Sequence, residues 1–155
     1  MTDARPKLLD LFCGAGGAAM GYYRAGFDVV GVDIKSQLHY PFPFIQGDAL
    51  NPPVDFSKFD AVHASPPCQA FTNARTFHNR THPDLLTPMR KLLKQLKIPW
   101  VIENVPNAPM RSDIILCGSV FGNSRLKRHR LFEFNSIPPL KLIQPCNHSK
   151  TELCT

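Results

Sequence analysis

The stretch HASPPCQAFT, residues 63–72, sets Cys68 directly behind Pro66 and Pro67. Prolines stiffen the chain and remove backbone donors, so this thiol stands on a rigid mount where an apolar run ends. The chemistry such a thiol offers is nucleophilic: the thiolate attacks, and a positive neighbourhood brings a free thiol down from its usual pKa of about 8.5. A carboxyl group, Glu103, sits near the end of a second apolar run, WVIEN (100–104). Further on, RLKRHR (125–130) carries four basic residues in six. Alone, that run reads equally as a solvated stretch or a nucleic-acid patch.

Chemistry of this kind needs elements that bring the groups together. KLLDLFC (7–13), DVVGVD (28–33), FIQGD (44–48), FDAVHA (59–64) and WVIEN (100–104) are short apolar runs bounded by turn residues, and each predicts a strand. HRLFEF (129–134) alternates and predicts a sixth. GAGGAAMGYYRAGF (14–27) predicts a glycine-rich turn feeding a helix that stops near Gly26. In PDLLTPMRKLLKQLKIP (83–99), Leu85, Leu86, Met89, Leu92, Leu93 and Leu96 share one helical face. Arg90, Lys91, Lys94 and Lys97 fall mostly opposite and read as a solvated face. Strands alternating with helices predict an α/β fold with a mostly parallel, doubly wound sheet. Ligands of such sheets bind at the carboxyl ends of the strands, where the turn at 14–17, Asp33, Cys68 and Glu103 converge.

Glycines after one strand and an acid ending the next suit a nucleotide-like ligand: the backbone approaches closely and the acid takes ribose hydroxyls. That serves a dinucleotide dehydrogenase, although the third glycine of its fingerprint is Ala19 here. It serves equally a methyltransferase that binds S-adenosylmethionine. A tight turn without any ligand has the same pattern.

The 155 residues suffice for one domain, and a 43% hydrophobic, 19% charged composition is that of a globular chain. A net charge of +6 favours an anionic partner such as nucleic acid. The five cysteines include no Cys-x-x-Cys pair, and no leader-like or long apolar run occurs, so a reducing cytoplasm and no membrane span are expected. Cys146, His148 and Cys154 have poor zinc-ligand spacing and lack a fourth ligand, so no metal is expected; Cys13 and Cys117 read as small buried residues.

DLFCGAGGAAMGYYRAGF, SPPCQAFT, IENV and RLKRHRLFEF follow one another in that order. Together they resemble the signature segments of the DNA cytosine-5 methyltransferase family, from residue 7 to about 134. The wording of GAGGAAMGY, HASPPCQA, HPDLL and VIENVP is similar to that of its short phage-type or prophage-type members. The resemblance implies a Rossmann-like S-adenosylmethionine-dependent methyltransferase fold and methyl transfer to C5 of a cytosine flipped out of double-stranded DNA. Cytosine C5 is a poor nucleophile; a thiolate adding to C6 makes it an enamine-like carbon that can attack. By resemblance Cys68 is that nucleophile, and Glu103 contacts the N3 and N4 edge of the base and assists protonation, which calls for a raised pKa. Asn104 holds the loop, Arg130 reaches the cytosine O2, and Arg128 supports the site. The family's glutamine two residues before the first arginine is Leu126 here. For the cofactor, the resemblance sets Phe12 beside Gly14 and Gly16, Asp33 on the ribose, Ile34 on the adenine, and Asp48 at the adenine amino group, followed by Ala49. Pro67 and Leu85 line the remaining wall.

The resemblance implies that the loop QAFTNARTFHNRTH (69–82) closes over DNA, and its two phenylalanines, two arginines and two histidines suit phosphate contact and base stacking. Family members continue into a recognition region and a segment that returns to the cofactor pocket; neither is visible in NSIPPLKLIQPCNHSKTELCT (135–155). Residues 1–137 are therefore expected to form the catalytic domain and 138–155 a short irregular tail, with a second chain or copy completing the pocket. The alternatives are an RNA cytosine-5 methyltransferase, which shares these motifs, and a catalytically weak DNA-binding remnant.

Overall fold

The structure, a computed structural model, describes residues 4–72, 82–121, 126–136 and 146. Its strands are β1 (Lys7–Leu11), β2 (Asp28–Asp33), β3 (Phe44–Gln46), β4 (Ala61–Ala64), β5 (Trp100–Asn104), β6 (Ile114–Cys117) and β7 (His129–Phe134). Among the described residues the α-helices are α1 (Gly17–Arg24) and α2 (Leu86–Leu93). The strands form one sheet in the order β3-β2-β1-β4-β5-β7-β6. Pairing is parallel from β3 through β5, and antiparallel between β5 and β7 and between β7 and β6.

Successive strand residues point to opposite faces, so the two sides of β1 serve two different cores. Leu9 and Leu11 join Val32, Val62, Ala64 and Ile102 beneath Leu86, Met89 and Leu93 of α2. Leu8 joins Val29 and Ala19 of α1, flanked by Tyr22, Phe27, Tyr40 and Phe42. Helices on both faces of a largely parallel sheet make the expected doubly wound architecture, and burial on both faces is why the central strands read as unbroken apolar runs. Full burial of one such Leu or Met is worth about 1.5–3 kcal/mol.

The order in which strands are added reverses between β1 and β4, which are parallel neighbours. The loops leaving these two strands therefore flank the crevice where ligands of such sheets bind. The first loop carries backbone strain: Phe12 (φ 58), Gly14 (φ 50) and Gly16 (φ 88) all lie in the left-handed region. Gly16 is the N-cap of α1, and a Cβ there would sit 2.8 Å from Pro41 Cδ.

Several elements differ from expectation. β1 ends at Leu11 rather than Cys13, because the left-handed Phe12 cannot continue a strand. β3 and β4 are likewise shorter than the runs 44–48 and 59–64. α2 covers only eight residues of the periodic stretch 83–99. Asp84 starts it, accepting from the Leu86 and Thr87 N–H groups at 2.9 and 3.0 Å. Beyond Leu93, the Gln95 and Leu96 N–H groups turn back to Leu92 and Leu93, tightening the chain off the helix before Pro99. Arg90 leaves the solvated face: its Nη2 donates to the buried Glu133 of β7 at 2.8 Å and to the Pro109 carbonyl at 2.9 Å. β6 was not expected; its four residues are too few to show a period, and Ile115 is exposed at the sheet edge. The tail 138–155 lies outside the described residues apart from Cys146, as do residues 73–81 of the loop at 69–82. Among the described residues, no helix is long and apolar enough to cross a membrane.

Candidate active site

The mount of Cys68 is tied to three strands. Ser65, leaving β4, donates from its N–H to the Leu11 carbonyl at 3.2 Å and from Oγ to the Phe12 carbonyl at 3.4 Å. Asn104, the last residue of β5, donates from Nδ2 to the Pro66 carbonyl at 2.9 Å. Its Oδ1 accepts the Val105 N–H at 2.9 Å. Asn104 thus holds the Ser-Pro-Pro turn from beneath and fixes the turn leaving β5 at the same time. After Cys68 the chain turns at once, with the Phe71 N–H donating to the Cys68 carbonyl at 2.9 Å. The thiol itself is half-buried and unbridged.

Glu103 and Arg130 meet through the antiparallel pairing of β5 and β7. Glu103 is opposite Phe132. Arg130, two residues earlier and on the same face, sets its Nε 2.7 Å from Glu103 Oε1, while its Nη1 donates to the His129 carbonyl at 2.8 Å. Burial pushes the Glu103 carboxyl above its ordinary range, against the opposing pull of Arg130, His63 and Arg128. Pro67, Cys68, Glu103, Asn104, Arg128 and Arg130 line one cavity of about 300 Å³. It shares Cys68, Arg128 and Arg130 with a wider cleft of about 670 Å³ whose other walls include Phe71, Thr72, Asn107 and Leu126. The four residues expected to carry chemistry are therefore brought to one place.

The expected cofactor residues lie along the neighbouring strand ends. Asp33 accepts the Gly14 N–H on Oδ2 and the Lys35 N–H on Oδ1, both at 3.0 Å. An ionised carboxylate has about four acceptor sites, so two remain for hydroxyl donors. Ile34 is 66% exposed beside it, a large apolar side chain left uncovered. β3 pairs with the end of β2, which brings the Gly47-Asp48-Ala49 turn alongside; Asp48 is exposed and accepts the Leu50 N–H at 2.9 Å, and Ala49 is buried. Phe12 packs on the α2-side core, and a Cβ at Gly14 would meet nothing within 4 Å. Pro67 and Leu85 are half-buried, Leu85 at the start of α2. An open glycine turn, a carboxylate with free acceptor sites and a bare apolar side chain fit an adenosine group.

Two residues near the site escaped the sequence reading. Asp10 of β1 and His63 of β4 are register partners, and His63 Nδ1 lies 2.7 Å from Asp10 Oδ1 with both side chains buried. Tyr22 of α1 stacks obliquely on His63, ring centroids 5.3 Å apart. Tyr22, His63, Glu103, Arg130 and Phe132 then share a cavity of about 430 Å³ on the α1 face. The signal was present only as two polar residues on the same face of apolar strands; that β1 and β4 are neighbours is not written locally. Cys13 is no rival nucleophile: burial, with the charges of Asp10 and Asp33, pushes its thiol up to about 12.

A doubly wound sheet in this order, with a glycine turn after β1 and an acid ending β2, is a Rossmann-like fold with a place for a nucleotide-like ligand, and the family match makes it that of an S-adenosylmethionine-dependent methyltransferase. The model of the C-5 cytosine-specific DNA methylase family matches residues 6–112, and the chain belongs to that family, whose methyl donor is S-adenosylmethionine. Among solved structures, the chain is similar to the Dnmt2 methyltransferase of S. pombe, with TM-score 0.56 and 18% identity over 84% of this chain and 49% of that one. This likeness is one of fold. It is also similar to the PH0226 protein of Pyrococcus horikoshii OT3, with TM-score 0.48 and 25% identity over 67% of this chain and 51% of that one. An RNA methyltransferase from Salinibacter ruber, in complex with S-adenosyl-L-homocysteine, matches with TM-score 0.49 and 17% identity over 92% and 87% of the two chains. The chain thus spans about half the length of the first two. None of the curated proteins matches it significantly.

Proposed function

We propose that the protein is a cytosine-5 methyltransferase acting on DNA, with residues 1–137 as its catalytic domain and Cys68 as its nucleophile. The observation that carries this reading is the single cavity lined by Cys68, Glu103, Arg128 and Arg130 in a chain of this family. The base enters that cavity flipped from the duplex, since its C6 is out of reach in the stack. Cys68 Sγ bonds to C6, and the displaced π electrons make C5 the attacking carbon. Glu103, whose hold on a proton burial strengthens, delivers a proton to N3 as this happens and takes it back later. Bound S-adenosylmethionine supplies the methyl group that C5 takes. Loss of the C5 proton to a water in the cavity, as the C6–S bond breaks, then expels Cys68 as thiolate and restores the ring. Arg130 holds Glu103 in place and has further donors for the base O2, with Arg128 beside it. Asp33 and the Gly14 turn face the adenosine, with Ile34 against its ring.

DNA carrying 5-fluorocytosine cannot lose its C5 substituent, so it should trap a covalent complex in the presence of S-adenosylmethionine. Cys68→Ala should abolish trapping and Cys13→Ala should not. Equal trapping by the Cys68 variant would remove the nucleophile, and trapping of the matching RNA instead of DNA would move the substrate to RNA.

A further inference from the structure

Cys117, His129 and Cys146 come from three separate points of the chain: the end of β6, the start of β7, and a residue 17 positions beyond His129. Cys117 Sγ, a ring nitrogen of His129 and Cys146 Sγ nevertheless all lie within 4.8 Å of one another. We propose that these three side chains bind a zinc ion, which pins residue 146 to the β6–β7 hairpin.

The donor set fits that ion. Two thiolates and an imidazole are soft and borderline ligands, which select zinc over magnesium or calcium. Zinc–sulfur bonds of about 2.3 Å and zinc–nitrogen bonds of about 2.0–2.1 Å, at tetrahedral angles, put donors about 3.6–3.8 Å apart. His129 Nε2 and Cys146 Sγ are 3.2 Å apart, so adjustments of about an ångström or less bring all three donors to that geometry. The platform is already rigid. Cys117 and His129 are direct partners across the antiparallel β6–β7 ladder, and the Gly118 N–H donates to the Arg128 carbonyl at 3.2 Å beside them. Ser119 Oγ donates to Cys117 Sγ at 3.2 Å, an outer contact that orients a thiolate ligand. The fourth position falls to water.

The consequence is positional. His129 stands between Arg128 and Arg130, and side chains alternate along a strand, so fixing His129 toward the ion turns both arginines toward the Cys68 cavity. Binding releases the two thiol protons, and affinity therefore falls as pH falls.

The full chain purified under reducing conditions should hold about one zinc ion, measured by metal analysis. Cobalt(II) in its place should show a thiolate-to-cobalt charge-transfer band with intense tetrahedral d–d bands. Cys146→Ser and His129→Ala should each lower metal affinity at least tenfold, with retained circular dichroism showing that they fold; Cys68→Ser should keep it. The proposal is overturned by a cobalt spectrum without charge transfer in the unsubstituted protein, by wild-type affinity in Cys146→Ser, or by a Cys117–Cys146 disulfide found in place of the metal.

Discussion

Replacing Asn104 by alanine tests whether the site is held from beneath in the way its hydrogen bonds indicate. Asn104 is buried, and its side chain serves the Pro66 carbonyl and the Val105 N–H, both at 2.9 Å. Removing it orphans one buried acceptor and one buried donor, each costing about 1–3 kcal/mol. The adjoining cavity admits water that can reach part of this space, so the loss should fall near the lower end, about 2–4 kcal/mol in total. Urea denaturation reads that loss as a shifted midpoint at unchanged slope. The loosened Pro66–Cys68 turn should also slow covalent trapping of 5-fluorocytosine DNA at least tenfold, measured where the variant is still folded. Asn104→Asp separates positioning from packing. It keeps the shape and the acceptor for Val105 but sets an oxygen against the Pro66 carbonyl. Trapping should be as slow in the aspartate variant as in the alanine one. Wild-type trapping in Asn104→Asp, or an unshifted midpoint in Asn104→Ala, would refute the reasoning.

Glu103 is held above the ordinary carboxyl range chiefly by burial, so its acid form is depleted only as pH rises through that raised value. The trapping rate should show a declining limb on that alkaline side, and Glu103→Gln should lower the rate and remove the limb. Gly16→Ala meets both a left-handed φ of 88 and a Cβ 2.8 Å from Pro41, so it should cost about 2–4 kcal/mol in thermal unfolding, while Gly17→Ala, whose Cβ meets nothing, should be near neutral. Asp84 has its pKa lowered by the Thr87 hydroxyl and by the N–H groups of α2. Its contribution, about 1 kcal/mol, should be present above the ordinary aspartate range and lost as pH falls through the lowered value, so Asp84→Ala and wild type should converge in acid denaturation.

What could be read from the sequence was whatever is encoded locally. DVVGVD, WVIEN and HRLFEF carry burial on one or both faces, and β2, β5 and β7 have the bounds expected of them. The left-handed turn was legible from its glycines, though not the left-handed Phe12 among them. Cys68, Glu103 and Arg130 stood out because motif order survives without any knowledge of pairing. Arg90 did not: its periodic position says solvent, and only the fold brings Glu133 of β7 within reach of its guanidinium. Asp10 with His63, and Cys117 with His129, are cross-strand partners between strands whose adjacency is a property of the whole sheet. For Cys146 the sequence offered only His148 and Cys154, at poor ligand spacing, while the fold brings it to His129 and Cys117.

The antiparallel end of the sheet explains why one short strand carries so much of the site. Parallel strands β1, β2 and β4 deliver their chemistry from the loops that follow them, at their carboxyl ends. β7 runs the other way, so its amino end arrives at that same edge, and the residues that lead into it and begin it, Arg128 and Arg130, reach the cavity without any further loop. The arrangement depends on register. With side chains alternating, a slip of one residue between β5 and β7 would carry Arg130 to the α2 face and bring His129 toward Glu103. Three contacts oppose that slip. Glu133 is held from below by Arg90 and by the Arg111 N–H at 3.1 Å, and the Trp100 N–H donates to Asn135 Oδ1 at 2.9 Å at the far end of the pair. The ion pair between Glu103 and Arg130 is only partly buried and would contribute modestly to stability by itself. Its geometry is set by the strand register around it, and the chemistry assigned to Glu103 inherits its placement from contacts on the opposite face of the sheet.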